Sequence, residues 1–174
     1  FLVVATQNPL EYEGTYALPE AQLDRFLVKL NVGYPSAEEE LGMLGLARRG
    51  VGAGDLEAVR PVASAEALRE ARAQVDATRV EEDVARYVVD VVRRTRELPS
   101  VELGGSPRAA VHLLGAARAA ARLAGRDYVT PDDVSRMAAP VLRHRLVLTP
   151  EAELERYGPD DAVRTALGDV PVPR

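Results

Sequence analysis

The sequence predicts a mainly α-helical fold, a short strand-helix-strand unit followed by helices to the end of the chain. Three observations carry this. Residues 1–5, Phe-Leu-Val-Val-Ala, form an unbroken apolar run of the kind found in strands buried on both faces of a parallel sheet. From Ser36 onward the apolar residues recur at steps of three and four, the helical spacing. Before these periodic segments stand Ser36, Ser64, Ser106-Pro107, Thr130-Pro131 and Gly158-Pro159, residue pairings that begin helices.

The elements follow in order. Residues 1–6 read as a strand and 7–18 as a loop. Pro19 to Phe26 reads as a short helix with Pro and Glu in its first turn, and Leu27 to Val32 as a second strand. Ser36 caps a helix running to about Arg49, with Glu39 completing a capping box, and a Gly-rich break spans Gly50 to Pro61. Ser64 precedes a helix over Glu66 to Val75. Between Val80 and Leu98, residues Val80, Val84, Tyr87, Val88, Val91 and Val92 form one apolar stripe. After Leu98-Pro99 and Gly104-Gly105, Ser106 and Pro107 open a helix that runs to Ala124 and stops at Gly125. Thr130-Pro131-Asp132-Asp133 opens the next, its aspartates favourable to the helix dipole. A final short helix follows Gly158-Pro159-Asp160, and Pro171 to Arg174 reads as a frayed tail.

Composition bounds the function. The 174 residues are 47% hydrophobic and 28% charged, enough for an ordinary core. A net charge of -5 argues against a surface built mainly to neutralise nucleic-acid phosphates. Without cysteine there are no disulfides, thiolate metal sites or cysteine nucleophiles, which fits a reducing cytoplasm. His112 and His144 are too few and too distant in sequence to suggest a metal site, so none is expected. The apolar start is too short and lacks the basic leader of a secretory signal, and no run approaches a membrane span. A buried-strand pattern at residue 1 predicts a chain that continues a longer one.

Three polar residues stand out. Asn8 follows the first strand, where ligands of open parallel sheets bind. Its neutral amide can hydrogen-bond a γ-phosphate oxygen and orient a water, although Asn-Pro is also a plain turn. Arg25 closes the helix EAQLDRF. It can be an exposed arginine paired with Asp24, or a guanidinium projected towards a neighbouring subunit's phosphates. Arg108 lies in the first turn of its helix, where acids are preferred. That conflict is tolerated at a surface, and it is also found where free N–H groups and a cation meet an anion.

The block ATQNPLEYEGTYALPEAQLDRF resembles the segment after the acidic metal-binding strand in the MoxR family of AAA+ ATPases. GGSPRAAVHLLGAARAAARLAGRDYVTPDDV with VLRHRL resembles that family's helical lid, so the likeness covers roughly residues 1–148. It implies a helical AAA+ lid preceded by a strand-helix-strand remnant of the P-loop core, with the core part at 1–34 and the lid at 35–174. It also implies that Asn8 is sensor 1, Arg25 the arginine finger and Arg108 sensor 2, with Asn8 and Arg108 meeting the nucleotide. The expected parent is a cytoplasmic, hexameric ring using ATP and Mg²⁺ for chaperone-like work on client proteins, including those with von Willebrand factor type A domains. No phosphate loop and no acidic metal-binding strand occur in the chain, so by itself it is expected to be inactive and to bind neither ATP nor Mg²⁺ tightly. Gly105, where the family pattern suggests a residue such as Ala, predicts a looser turn. The competing reading is a non-catalytic helical module for protein or nucleic acid, with Arg143, His144 and Arg145 at the end of its reading helix.

Overall fold

The computed structural model describes residues 2–7, 18–48 and 59–173. Eight helices occur among them: α1 (Glu20–Leu23), α2 (Ala37–Arg48), α3 (Ala65–Asp76), α4 (Glu82–Arg94), α5 (Pro107–Leu123), α6 (Pro131–Leu142), α7 (Pro150–Leu154) and α8 (Pro159–Asp169). A two-stranded antiparallel pair, β1 (Val101–Leu103) and β2 (Val147–Leu148), sets Val101 opposite Leu148.

The helix starts act through the atoms the sequence implies. Ser36 and Glu39 form the expected box, the Ser36 N–H donating to Glu39 Oε2 at 2.8 Å and the Glu39 N–H to Ser36 Oγ at 3.4 Å. Ser64 Oγ accepts from the Ala67 N–H at 3.1 Å. The α5 helix stops at Gly125, whose φ of +76° needs a residue without a Cβ penalty. The α4 helix ends at Arg94, and Thr95 at its C-cap turns its hydroxyl back to the Val92 carbonyl at 2.6 Å.

The core lies among α4, α5, α6 and α8. The stripe on α4 buries Val84, Tyr87, Val88, Val91 and Val92. Against it, α5 presents Leu113 and the small residues Ala109, Ala116, Ala117 and Ala121, whose size lets α6 approach along its length. Val134, Ala138, Val141 and Leu142 of α6 and Ala162, Val163 and Ala166 of α8 complete it. Truncating Leu113, fully buried, to Ala is expected to cost about 2–5 kcal/mol.

The two strands expected at 1–6 and 27–32 are not present as strands among the described residues. Residues 2–7 and 27–32 run without regular structure, and Leu2, Val3, Val4, Leu30 and Val32 are exposed. A strand is defined by its neighbour, and the described residues offer these runs none; β1 and β2 pair only with each other. The second run is nonetheless partly anchored. The Lys29 N–H donates to the Pro140 carbonyl at 2.9 Å, and Val28 packs on the core. Pro140 lies in the last turn of α6, whose carbonyls have no intrahelical donor, so Lys29 supplies one of the missing bonds.

The start of the tail falls where it is expected. Val170 is buried, and only residues 171–173 extend past it without regular structure.

Candidate functional site

Arg145 fixes the segment that carries Arg25 onto the helices. Its side chain is 1% exposed, and Nε donates to Asp24 Oδ1 at 2.9 Å. Nη1 donates to the carbonyls of Leu27, at 3.2 Å, and Val141. Nη2 donates to the carbonyls of Asp24, at 3.1 Å, and Phe26, and to His112 Nδ1 at 2.6 Å. A planar guanidinium with five donors can serve a bent loop in this way, and a lysine cannot. Next to it, the His144 Nε2–H donates to the Phe26 carbonyl at 3.1 Å.

Arg108 meets the same carboxylate from the other side. Its Nη1 donates to Asp24 Oδ2 at 3.2 Å while the side chain stays half exposed. The unfavourable placement of a cation in the first turn of α5 is therefore offset by Asp24. Ser106, at the N-cap, makes no side-chain cap; its hydroxyl donates to Asp24 at 3.2 and 3.3 Å instead. Two guanidiniums thus share one carboxylate, leaving surplus positive charge beside uncapped N–H groups at the start of a seventeen-residue helix.

The Gly104-Gly105 turn before Ser106 is tight, not loose. The Gly105 N–H donates to the buried Thr95 Oγ1 at 2.9 Å, and its carbonyl accepts from Arg96 Nε at 2.7 Å. A Cβ on Gly104 would lie 2.7 Å from the backbone of Arg96, so glycine there is a steric requirement.

Arg25, the residue after Asp24, is exposed and borders a shallow concavity with Val3, Ala21, Gln22, Phe26 and Leu27. Among the described residues it has no carboxylate partner, since Asp24 is taken by Arg145 and Arg108. Asn8 lies outside the described residues. Arg108 is accordingly brought to the carboxylate that stands next to Arg25 in sequence. Asp24 and Arg145, which join them, were not singled out for this by sequence reasoning. The available signal was that Asp24 and Arg145 both fall inside the motifs LDRF and VLRHRL.

The reading of Arg143, His144 and Arg145 as a nucleic-acid reader does not survive this geometry. Arg145 is buried, His144 is turned to Phe26, and Arg143 Nε lies 2.9 Å from Asp160 Oδ1 with its side chain 17% exposed. Three inward-turned side chains present no cationic face to phosphates.

Electrostatics sharpen the seam. Burial, then the nearby Arg145 and Arg108 charges, hold His112 below the ordinary imidazole range, against the pull of Asp24. Neutral His112 accepts from Arg145 at Nδ1 and so carries its proton on Nε2. His144 is likewise lowered, chiefly by burial.

A second ion pair is structural. Arg126 grips the fully buried Asp133 with two bonds of 2.7 Å, and Asp133 also accepts from the Thr130 N–H at 3.0 Å and hydroxyl at 2.9 Å. These donors, the guanidinium foremost, hold its carboxyl at about 2. The pair ties the loop after α5 to the start of α6.

Among the described residues, no three histidine or acidic side chains converge as a cation site requires, and no helix is long and apolar enough to cross a membrane. What the seam supplies is positive charge.

The chain matches two family models: the ATPase family associated with various cellular activities (AAA) over residues 1–28, and the AAA lid domain over residues 93–166. It is 46% identical over 173 residues to the uncharacterized protein YeaC of Bacillus subtilis, covering 99% of this chain and 53% of that protein. It is 42% identical over 190 residues to the chaperone MoxR1 of Mycobacterium tuberculosis, covering 100% of this chain and 47% of that protein. A crystal structure of a candidate ATPase from Cytophaga hutchinsonii superposes with a TM-score of 0.88 at 35% identity, over all of this chain and 55% of that one. The chain spans about half the length of the curated relatives it matches.

Proposed function

Because this chain belongs to the MoxR family of AAA+ ATPases, we propose that it supplies the finger and the lid of an ATP-driven, chaperone-like machine. In this reading residues 1–34 belong to the nucleotide-binding core and 35–174 to the lid. Arg25 is the arginine finger, reaching the nucleotide of a neighbouring subunit in a ring, most simply a hexamer. Arg108 is sensor 2, and Asn8 is sensor 1. The machine works in the cytoplasm, and its clients are proteins, those with von Willebrand factor type A domains among them.

One observation carries the reading. Arg108 comes from a distant part of the sequence to Asp24, the residue next to Arg25, and stays half exposed, while Arg25 is exposed and has no carboxylate partner among the described residues. Their residue types fit a polyphosphate. Arg108 can hold a terminal phosphate oxygen at the positive end of α5, and Arg25 can neutralise charge that develops during transfer. ATP, when bound, would supply the phosphoryl group to be transferred, and Mg²⁺ would help neutralise the charge that develops on it. The described residues of this chain furnish no ligand set for that ion.

The division of labour can be tested by calorimetry. The 174-residue chain is expected to show no micromolar binding of Mg-ATP and no hydrolysis, because neither a phosphate loop nor an acidic metal-binding strand is in its sequence, while the full-length protein is expected to show both. Micromolar binding to the 174 residues would overturn this assignment.

A further inference from the structure

We propose that Asp24 is a counter-ion latch for Arg108, holding that guanidinium while the phosphate site is empty and releasing it when a nucleotide arrives. The inference rests on the reading of Arg108 as a phosphate-binding residue and adds to it the residue that competes for the same cation.

The two oxygens of Asp24 serve partners of different permanence. Oδ1 accepts from Arg145 Nε at 2.9 Å, and Arg145 is buried and bound to four further carbonyl groups and to His112. That bond cannot be exchanged without opening the seam. Oδ2 accepts from Arg108 Nη1 at 3.2 Å, the one contact of a half-exposed side chain with a carboxylate among the described residues. A long, single, solvated ion pair is weak and exchangeable. Ser106 Oγ, 3.2 and 3.3 Å from the two oxygens, keeps the carboxylate facing Arg108 instead of capping its own helix.

Charge favours the exchange. Arg108 and Arg145 together exceed the single negative charge of Asp24, and the start of α5 adds its partial positive charge. A polyphosphate oxygen of higher charge density therefore competes well for Arg108, and Asp24 stays satisfied by Arg145 and Ser106 after Arg108 leaves. A carboxylate left unpaired would pull Arg108 back. Arg145 removes that penalty. Asp24 is thus a positioning residue, acting on nucleotide through Arg108.

The experiment uses the full-length ATPase and Asp24→Asn, which keeps the size of the side chain and one acceptor oxygen for Arg145, puts an NH2 group in place of the oxygen that meets Arg108, and removes the charge. Freeing Arg108 is expected to tighten Mg-ATP binding by about two- to fivefold, the range an exposed ion pair supports. The gain must vanish in an Arg108→Ala background, where there is no guanidinium to release. A purely structural Asp24 predicts a lower melting temperature with no tightening in either background, and that result overturns the latch. If Arg108→Ala alone leaves both affinity and turnover unchanged, the phosphate-binding role of Arg108 fails first. Should Asp24→Asn not fold, the wild-type protein carries the test by NMR of arginine side-chain nitrogens titrated with Mg-ATPγS. The Arg108 signal is expected to shift while that of Arg145 holds; if Arg108 does not move, the proposal falls.

Discussion

Arg145 Nε donates to Asp24 Oδ1 at 2.9 Å across 121 positions of sequence, the closing bond of a guanidinium that also serves the carbonyls of Asp24, Phe26, Leu27 and Val141. Such a side chain is a peg through which a loop without strand partners acquires a fixed position. Arg145→Met is expected to destabilise the chain by about 3 kcal/mol, since it leaves a partly buried carboxylate and several carbonyls without a donor. Arg145→Lys should recover less than half of that, because an ammonium cannot reach acceptors spread around a planar fork. Denaturant unfolding gives the magnitude and hydrogen exchange at the Lys29 amide gives the place. Unchanged protection at Lys29 in Arg145→Met would show that the loop is held some other way.

Asp133 sets an acid limit on stability. Its carboxyl is held at about 2, against an ordinary value of 3.8. The folded value lies below the unfolded one, so the unfolded chain takes up the proton first as pH falls. The stabilisation is therefore complete above about pH 4 and is lost as pH drops through 2. For a fully buried group this shift is worth about 2 kcal/mol. Asp133→Asn should lose about that much at pH 7 and show a flatter stability profile between pH 4 and 2 than the wild type.

The histidines give a second, milder dependence. His112 and His144 are both held below the ordinary 6.5, mainly by burial. Lowered histidines favour the folded state when neutral, so their contribution is complete above pH 6.5 and declines as pH falls below it. Protonated His112 can no longer accept from Arg145, and it faces the Arg108 charge as well, with Asp24 the one compensating acid. Hydrogen exchange at residues 24–29 should accelerate on going from pH 7.5 to 5.5, relative to the α4 amides. His112→Gln should remove most of the difference.

Much of the helical plan was legible because it is local. Ser36, Ser64, Pro107, Pro131 and Pro159 lie within a turn of the backbone groups they satisfy or the helices they open, and the α4 stripe is set by spacing alone. What depended on distant partners was not. The runs at 1–6 and 27–32 carry a strand composition but find no neighbouring strand among the described residues. The β1–β2 pair is too short to show a period of two, and α7 has a single turn. Ser106 reads as a cap, yet its hydroxyl goes to Asp24, 82 residues away. Arg143, His144 and Arg145 read as a basic surface because sequence does not reveal which way consecutive side chains turn at a helix end. At the candidate site Arg108 was legible as a cation out of place in a first helical turn; the carboxylate that holds it, Asp24, was not.

Arg25 provides the sharpest functional test. A finger acts on a neighbour's transition state and adds little to the binding of ground-state ATP. Arg25→Ala in the full-length protein is therefore expected to leave nucleotide affinity nearly unchanged and to lower turnover by roughly 10³-fold or more. The structure makes the substitution a clean one. Arg25 is exposed and holds no carboxylate among the described residues, whereas Asp24 beside it keeps Arg145 and Arg108. Melting of the variant should match the wild type to within about 0.5 kcal/mol. Mixed assemblies separate a finger from a residue serving its own subunit. When subunits carrying Arg25→Ala are doped with subunits unable to bind nucleotide, an assembly with an intact finger facing an intact site must form for activity to appear, so these two inactive parents should regain part of it together. No recovery in any ratio, or a loss confined to ATP affinity with turnover intact, would place Arg25 outside the neighbour's reaction.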